Sequence, residues 1–516
     1  MSNWTCFKKM ALAVVMTALL AVCAFAAEAP KSAKDTLMWG VNAEASSLDP
    51  ATSKDTVTHM MMYQIYDTLV KEDPDDYTKI VPGLAERWEF GKDNAEITFY
   101  LRKDVKFHNG DTMTADDVFF SLQRSLDSSF SSGISEAIDH FEKAGDDAVK
   151  CVLKYAYGPI MDVMTNLTYG IVSKRAVEEA EAKGVDFARN PVGTGAYKMT
   201  EWRAGDSLTL ERFDEYYDGA APIGKIVFKL VPDASSGAIA LEDGTLDIYY
   251  LVANSDYDYL KNLDGIAYVE CPGVGLFHIT FNVANGIFTD KRLRQAAAYA
   301  LNRDDIVIGG ANGEALVADC LVPTSVFGYD KNFKWYDQDV EKAKALLREA
   351  GYPDGFDVTF SMQGSASYMM PGEVAQDQLR KVGIRVAFDK MERAAYLDNV
   401  GDKRNFVASL RMINASVRDA DSVLTRRFHS AMLGGGNNYS GYSNPEVDAL
   451  IERSRKSSDP SERLALYTQI YGILKEDVPL IPLFTDTIYL FYNAKLKNLK
   501  PHPVYRYRIY QTYFEE

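Results

Sequence analysis

Cysteine is scarce in this chain, with five in 516 residues. Cys6 and Cys23 fall near the start, which leaves Cys151, Cys271 and Cys320. Three is odd, so at most one disulfide can form within the chain, and no pair has the C-x-x-C spacing of a zinc or redox motif. Histidine is equally sparse, scattered singly as His59, His108, His140, His278, His429 and His502. G-x-S-x-G, H-E-x-x-H and Walker loops are all missing. Asp and Glu are plentiful, yet no spacing singles out an acid–base pair. The sequence therefore points to no catalytic residue, no metal site and no cofactor, and favours ligand capture over chemistry. Past residue 27, no stretch reaches the roughly 18 consecutive apolar residues that a membrane span needs.

What is present begins with Lys8 and Lys9, followed by an uncharged apolar run from Met10 to Ala27 and by Ala24-Phe25-Ala26. This is the pattern of a secretory signal peptide over 1–26, cleaved near Ala26 to give a periplasmic protein. Acylation of Cys23 is disfavoured because Val22, just before it, is not small. Removing the signal leaves 54 basic against 73 acidic residues, a formal charge of −19. Such a surface repels phosphate backbones and argues against nucleic acid as a partner. The remaining length exceeds what one core usually supports, so two or more lobes are expected.

The stretch LRKDVKFHNGDTMTADDVFFSLQR contains the one His-Asn-Gly-Asp cluster. Ile97, Phe99 and Leu101 alternate as in a half-buried strand. Asn109-Gly110 suits a tight turn. Thr114 followed by Asp117 reads as a capping box opening a helix that buries Val118, Leu122 and Leu126. His108 has no partner in sequence with which to make a site. PVGTGAYKMTEW resembles a phosphate loop only superficially: Gly193 and Gly195 lead into a strand, whereas an anion site needs a following helix. Further on, GLFHITFNV is strongly β-prone, Thr289 or Asp290 caps a helix, and Asn444-Pro445 and Asp459-Pro460 each start another.

Together, PGLAERW, the His-Asn-Gly-Asp block, NPVGTGAYKMTEW, FNVANGIFTDKRLRQAAAYALNRDDIV and YSNPEVDALIERS resemble the peptide/nickel-type (family 5) extracytoplasmic solute-binding proteins of ABC transporters. The match runs in order from about Leu48-Asp49-Pro50 to the C-terminus. It implies an α/β, two-lobed periplasmic-binding-protein fold of type II, in the large class with an extra inserted subdomain and a hinge between lobes. Lobe I would comprise 27–70, 190–272 and 486–516, with 71–189 inserted, and lobe II 273–485. The protein would act as a monomer, capturing a small peptide or peptide-like solute between the lobes and delivering it to a membrane permease. Nickel-chelate or haem import and chemosensory co-reception use the same fold. His278 and His429 are the only histidines in or near the lobe expected to form the cleft.

The resemblance also implies a ligand site. Peptide-binding members place an aspartate three residues before a D-P-D run, against the ligand's amine. Here the run is Asp419-Ala420-Asp421, Ser416 stands in the amine-binding position, and Ile413 replaces the expected tryptophan. That pattern is closer to the glutathione-type branch. Arg411 and Arg418 flank the segment, beside Asn414. Each would either clamp a ligand carboxylate or pair with an acidic side chain of the protein. Glu44, with Ala45 and Ser46, falls where relatives contact ligand backbone. Phe277, His278 and Tyr368 complete the expected pocket.

Overall fold

A computed structural model describes residues 30–53, 55–131, 134–415, 417–433 and 437–516. The signal-peptide segment, Cys23 and Ser416 lie outside the described residues. Its backbone is an eleven-stranded mixed sheet. At one end lie Ile384–Met391, Phe356–Gln363 and Ala408–Asn414; at the other, Thr36–Val41, Lys225–Leu230, Ser207–Arg212 and Tyr197–Arg203. Between them run two long antiparallel strands, Ile266–Phe281 and Leu480–Asn493.

Ile266–Phe281 is longer than the β-prone run GLFHITFNV, because it continues back through Gly273 and Pro272, residues that usually end a strand. The chain absorbs them as an irregularity: pairing shifts register between Pro272 and Leu276, then resumes. Asp486 fills the gap, accepting a hydrogen bond from the Gly275 amide at 2.8 Å. A β-carbon at Gly273 would meet the Asp486 carboxylate at 2.4 Å, so any larger residue there would displace that side chain. Burial raises the Asp486 carboxyl above its ordinary range, against the pull of the Gly275 amide.

Apolar side chains gather into separate cores on either side of this break. The largest runs from Phe277 to Phe484 and fills the Phe356–Gln363, Ile384–Met391 and Ala408–Asn414 end. A second joins residues from 37–228 with the C-terminal 490–514. A third lies beneath a four-stranded antiparallel sheet of Ala85–Phe90, Glu96–Leu101, Ala148–Leu153 and Ile138–Lys143, and includes one distant residue, Val417. The three cysteines of the described chain are free and buried. Cys151 belongs to the third core and Cys320 to the first, whereas Cys271 lies just before the register break, beside Tyr77.

The helix starts follow their local chemistry. Thr114 and Asp117 form a reciprocal capping box at the head of the Ala115–Asp127 helix, which buries Val118 and Leu122. Asp290, not Thr289, caps Lys291–Ala300. Asn444 and Asp459 cap helices that begin with proline.

His108 has a structural use. Its ring accepts from the Gly193 amide at 3.4 Å and contacts the Gly195 carbonyl at 2.9 Å, so the proton of the neutral ring sits on Nε2. Burial lowers its pKa to about 4, despite the Gly195 hydrogen bond. The two glycines lie against the Ile65 carbonyl, where added β-carbons would come within 2.2 and 2.7 Å of its oxygen. The His-Asn-Gly-Asp cluster and the glycine-rich loop are thus two halves of one packing contact.

Replacing Thr114 by Ala removes the side-chain half of the capping box, leaving the Thr114 amide bond to Asp117, and should weaken the Ala115–Asp127 helix by about 1 kcal/mol. Amide exchange within that helix should accelerate accordingly, while exchange in the Phe277–Phe484 core stays unchanged.

Candidate functional site

The Ala408–Asn414 strand pairs with Ile266–Phe281 so that Arg411 stands opposite His278. The strand buries Arg411 and Ile413 and exposes Met412 and Asn414. The Arg411 guanidinium lies 3.8 Å from the centre of the Tyr439 ring and 5.3 Å from that of Tyr396. Arg411 is only 7 % exposed. Its Nε and Nη1 find no hydrogen-bond partner, and no carboxylate lies within salt-bridge distance among the described residues. Two aromatic faces supply cation–π attraction but no acceptor.

The surroundings add positive potential. Arg427 lies 4.5 Å from the Tyr439 ring and donates to the Asn437 carbonyl at 2.8 Å. Burial brings its pKa down to about 10. His278 is fully buried; burial, joined by the charges of Arg411 and Arg427, lowers its pKa to about 3. The neutral ring contacts the Leu276 carbonyl through Nδ1 at 3.2 Å, which places its proton there and leaves Nε2 as an acceptor with no partner. Phe277 stacks on Phe484 with ring centres 4.8 Å apart and packs against Tyr368 at 5.2 Å. Gln363 donates to the Tyr368 hydroxyl at 3.2 Å.

Arg418 is different. Its guanidinium meets Asp162 at 2.9 Å and Glu72 at 3.1 Å, and also binds the Tyr77 carbonyl. Its backbone amide donates to Asp162 at 2.8 Å. Of the two roles the sequence allows for Arg418, the structure realises pairing within the protein. Burial pushes Glu72 upward, but Arg506 and Arg418 outweigh it and hold the carboxyl well below its usual range. Asp419 is likewise engaged, bound by Arg463 at 2.6 Å and by the Tyr467 hydroxyl at 2.7 Å.

Segment 417–421 therefore carries the Phe277–Phe484 body across to the third core. Val417 packs inside that core, Arg418 reaches Glu72 and Asp162, and Asp421 accepts from Tyr157 at 3.1 Å.

Glu44, Ala45 and Ser46 are not gathered with Arg411. Glu44 accepts from Trp202 Nε1 at 2.7 Å and from the Gly205 amide at 3.1 Å. Ala45 is packed in the second core, and Ser46 binds Asp55 and Thr58. Asn414 is exposed opposite Gly275, next to the register break. Sequence reasoning missed Tyr396, Tyr439 and Arg427 around Arg411, and Glu72 and Asp162 around Arg418. Arg418 is 346 residues from Glu72, a separation at which no local pattern can speak.

No helix among the described residues is long and apolar enough to cross a membrane, and none of their His, Cys, Asp and Glu side chains cluster as a metal site would require.

Residues 79–434 match the family described as bacterial extracellular solute-binding proteins, family 5 middle, and the chain belongs to that family. The dipeptide-binding protein of Escherichia coli K12 is 27 % identical over 439 residues, 80 % of this chain and 82 % of that protein. The glutathione-binding protein GsiB of the same strain is 29 % identical over 498 residues, 94 % of each chain. The structure of HbpA2 from Haemophilus parasuis superposes with a TM-score of 0.88 at 26 % identity, covering 93 % of this chain and 100 % of that one. The fold is that of the type II periplasmic binding proteins.

Three buried histidines have strongly lowered pKa values: His108 to about 4, His278 to about 3, and His502 well below its ordinary value. In the unfolded chain a histidine has its ordinary pKa of about 6.5 and binds a proton at pH values where each of these three is still neutral in the folded protein. Their stabilising contribution is complete above about pH 6.5 and is lost as pH falls toward the folded values. Urea midpoints should fall between about pH 6.5 and 5, with a limiting slope of about 1.4 kcal/mol per pH unit for each histidine. His278→Gln should remove one histidine's share; a slope identical to that of the unsubstituted protein would show that His278 is not held neutral.

Proposed function

We propose that the chain is a periplasmic, non-enzymatic carrier that captures a short peptide or peptide-like solute bearing a free carboxylate and delivers it to an ABC transporter permease. The observation that carries the carboxylate is Arg411. A buried guanidinium without an anion is costly, and this one has unused donors, aromatic faces beneath it and no acid beside it. A ligand carboxylate would supply the missing charge and accept from Nε and Nη1. Arg411 also lies on the strand that leads into segment 417–421, where the two sides of the molecule meet.

In this reading, 27–70, 190–272 and 486–516 form one lobe with 71–189 inserted, and 273–485 forms the other. The register break beside Gly273 and Asp486 then serves as the hinge. A ligand trapped between the lobes would favour the closed state through contacts made only there. Phe277, Tyr368, Asn414 and Ser416 would border it, and the protein would work as a monomer. The names of the dipeptide- and glutathione-binding relatives support a peptide-like ligand.

Calorimetry with short peptides tests the carboxylate. Amidating the C-terminus of a bound peptide, or replacing Arg411 by Ala, should weaken binding by roughly thirtyfold, the equivalent of about 2 kcal/mol for hydrogen bonds to a charged group. Arg411→Ala should leave the ligand-free protein at least as stable, because it removes an unpaired buried charge. Equal affinity for free and amidated peptides would sink the proposal.

A further inference from the structure

A polar cavity of about 240 Å³ lies between the segment after strand Val70–Glu72 and the C-terminal stretch 498–511. Its wall includes Lys71, Glu72, Tyr77, His502, Tyr507 and Arg508. That is far more room than a single water needs. Three of these walls end in buried atoms without a hydrogen-bond partner: His502 Nε2, Tyr507 Oη and Arg508 Nη2.

All three can donate. His502 accepts from the Val504 amide through Nδ1 at 3.2 Å, and burial holds the ring neutral, so its proton lies on Nε2. An arginine nitrogen and a tyrosine hydroxyl are donors by their chemistry. Arg418, beside Glu72, has one more unpartnered donor in its Nε. The unpartnered carboxylate oxygen of this cluster, Asp67 Oδ2, does not line the cavity.

Charge tells the same story. Two buried ion-pair clusters back the cavity, Lys71 and Arg508 on Asp67, and Arg418 and Arg506 on Glu72 and Asp162, four cations to three anions. One positive charge is left over. Asp73, Asp75 and Asp218 do stand at the rim, with Lys500 paired to Asp75 at 2.7 Å. Charges facing water act weakly across solvent, whereas the buried excess is unscreened.

From these donors and that charge we infer that the cavity binds a small carboxylate anion of a few carbon atoms, at a site separate from Arg411. Its oxygens accept from His502 Nε2, Tyr507 Oη and Arg508 Nη2. Because Glu72 lines the cavity and holds Arg418, an anion here sits against the contact that joins the Phe277–Phe484 body to the third core.

Malonate is the probe, titrated calorimetrically against a chloride background of equal ionic strength. We expect saturable one-site binding, weakened about tenfold by Tyr507→Phe and unchanged by Arg411→Ala. Tyr507→Phe deletes a hydroxyl that has no partner, so the ligand-free protein should keep its melting temperature. Crystals grown with malonate should show it against His502 and Arg508. The inference falls if binding does not saturate, if Tyr507→Phe binds as tightly as the unsubstituted chain, or if the cavity holds only water. Loss of malonate binding in Arg411→Ala would also overturn it, by placing the anion in the peptide site. The carboxylate reading of Arg411 stands or falls separately, on amidated peptides.

Discussion

A guanidinium taken out of water has to be answered by an anion, and the two arginines flanking segment 412–417 meet that demand in different ways. Arg418 is answered by Glu72 and Asp162, contributed by chain far away in sequence. Arg411 is answered only by the faces of Tyr396 and Tyr439. Breaking a buried ion pair by removing one partner commonly costs about 3–5 kcal/mol, so the Arg418 cluster constrains how the Phe277–Phe484 body sits on the rest of the molecule. Val417 and Asp421 on either side of it follow, one into an apolar core and one onto Tyr157.

Much of the fold is legible because it rests on local chemistry. The capping box at Thr114, the proline-started helices at Pro445 and Pro460, and the strand after Gly195 all depend on neighbours within a few residues. The Ile266–Phe281 strand is longer than its β-prone run GLFHITFNV, because proline and glycine normally end a strand. Here an aspartate from the partner strand satisfies the gap that they leave. The two false alarms, at His108 and at Gly193–Gly195, are structural, as their local patterns suggest. That they touch each other is invisible in sequence, since they lie 85 residues apart.

The candidate site is only half legible. Arg411, His278, Phe277 and Tyr368 follow from resemblance, and the fold brings them onto neighbouring positions of two paired strands and the helix start beside them. Their surroundings come from elsewhere in the chain: Tyr396 after one strand, Arg427 and Tyr439 beyond the next. Whether an arginine is free or paired depends on tertiary partners, so sequence can state both possibilities for Arg411 and Arg418 but not choose between them.

The free cysteines give the molecule a built-in clock. Cys271 lies immediately before the register break, 4 % exposed, and burial pushes its thiol up to about 12 against the influence of the Tyr77 hydroxyl. Alkylating reagents attack the thiolate, so this sulfur is shielded twice, by access and by its proton. Cys151 and Cys320 lie deep within separate cores and yield only when those cores open. Tyr77, whose carbonyl Arg418 also holds, sits where the two sides of the molecule meet. An opening of that seam would be read as the rate at which Cys271 alone is alkylated, with no cysteine engineered into the protein.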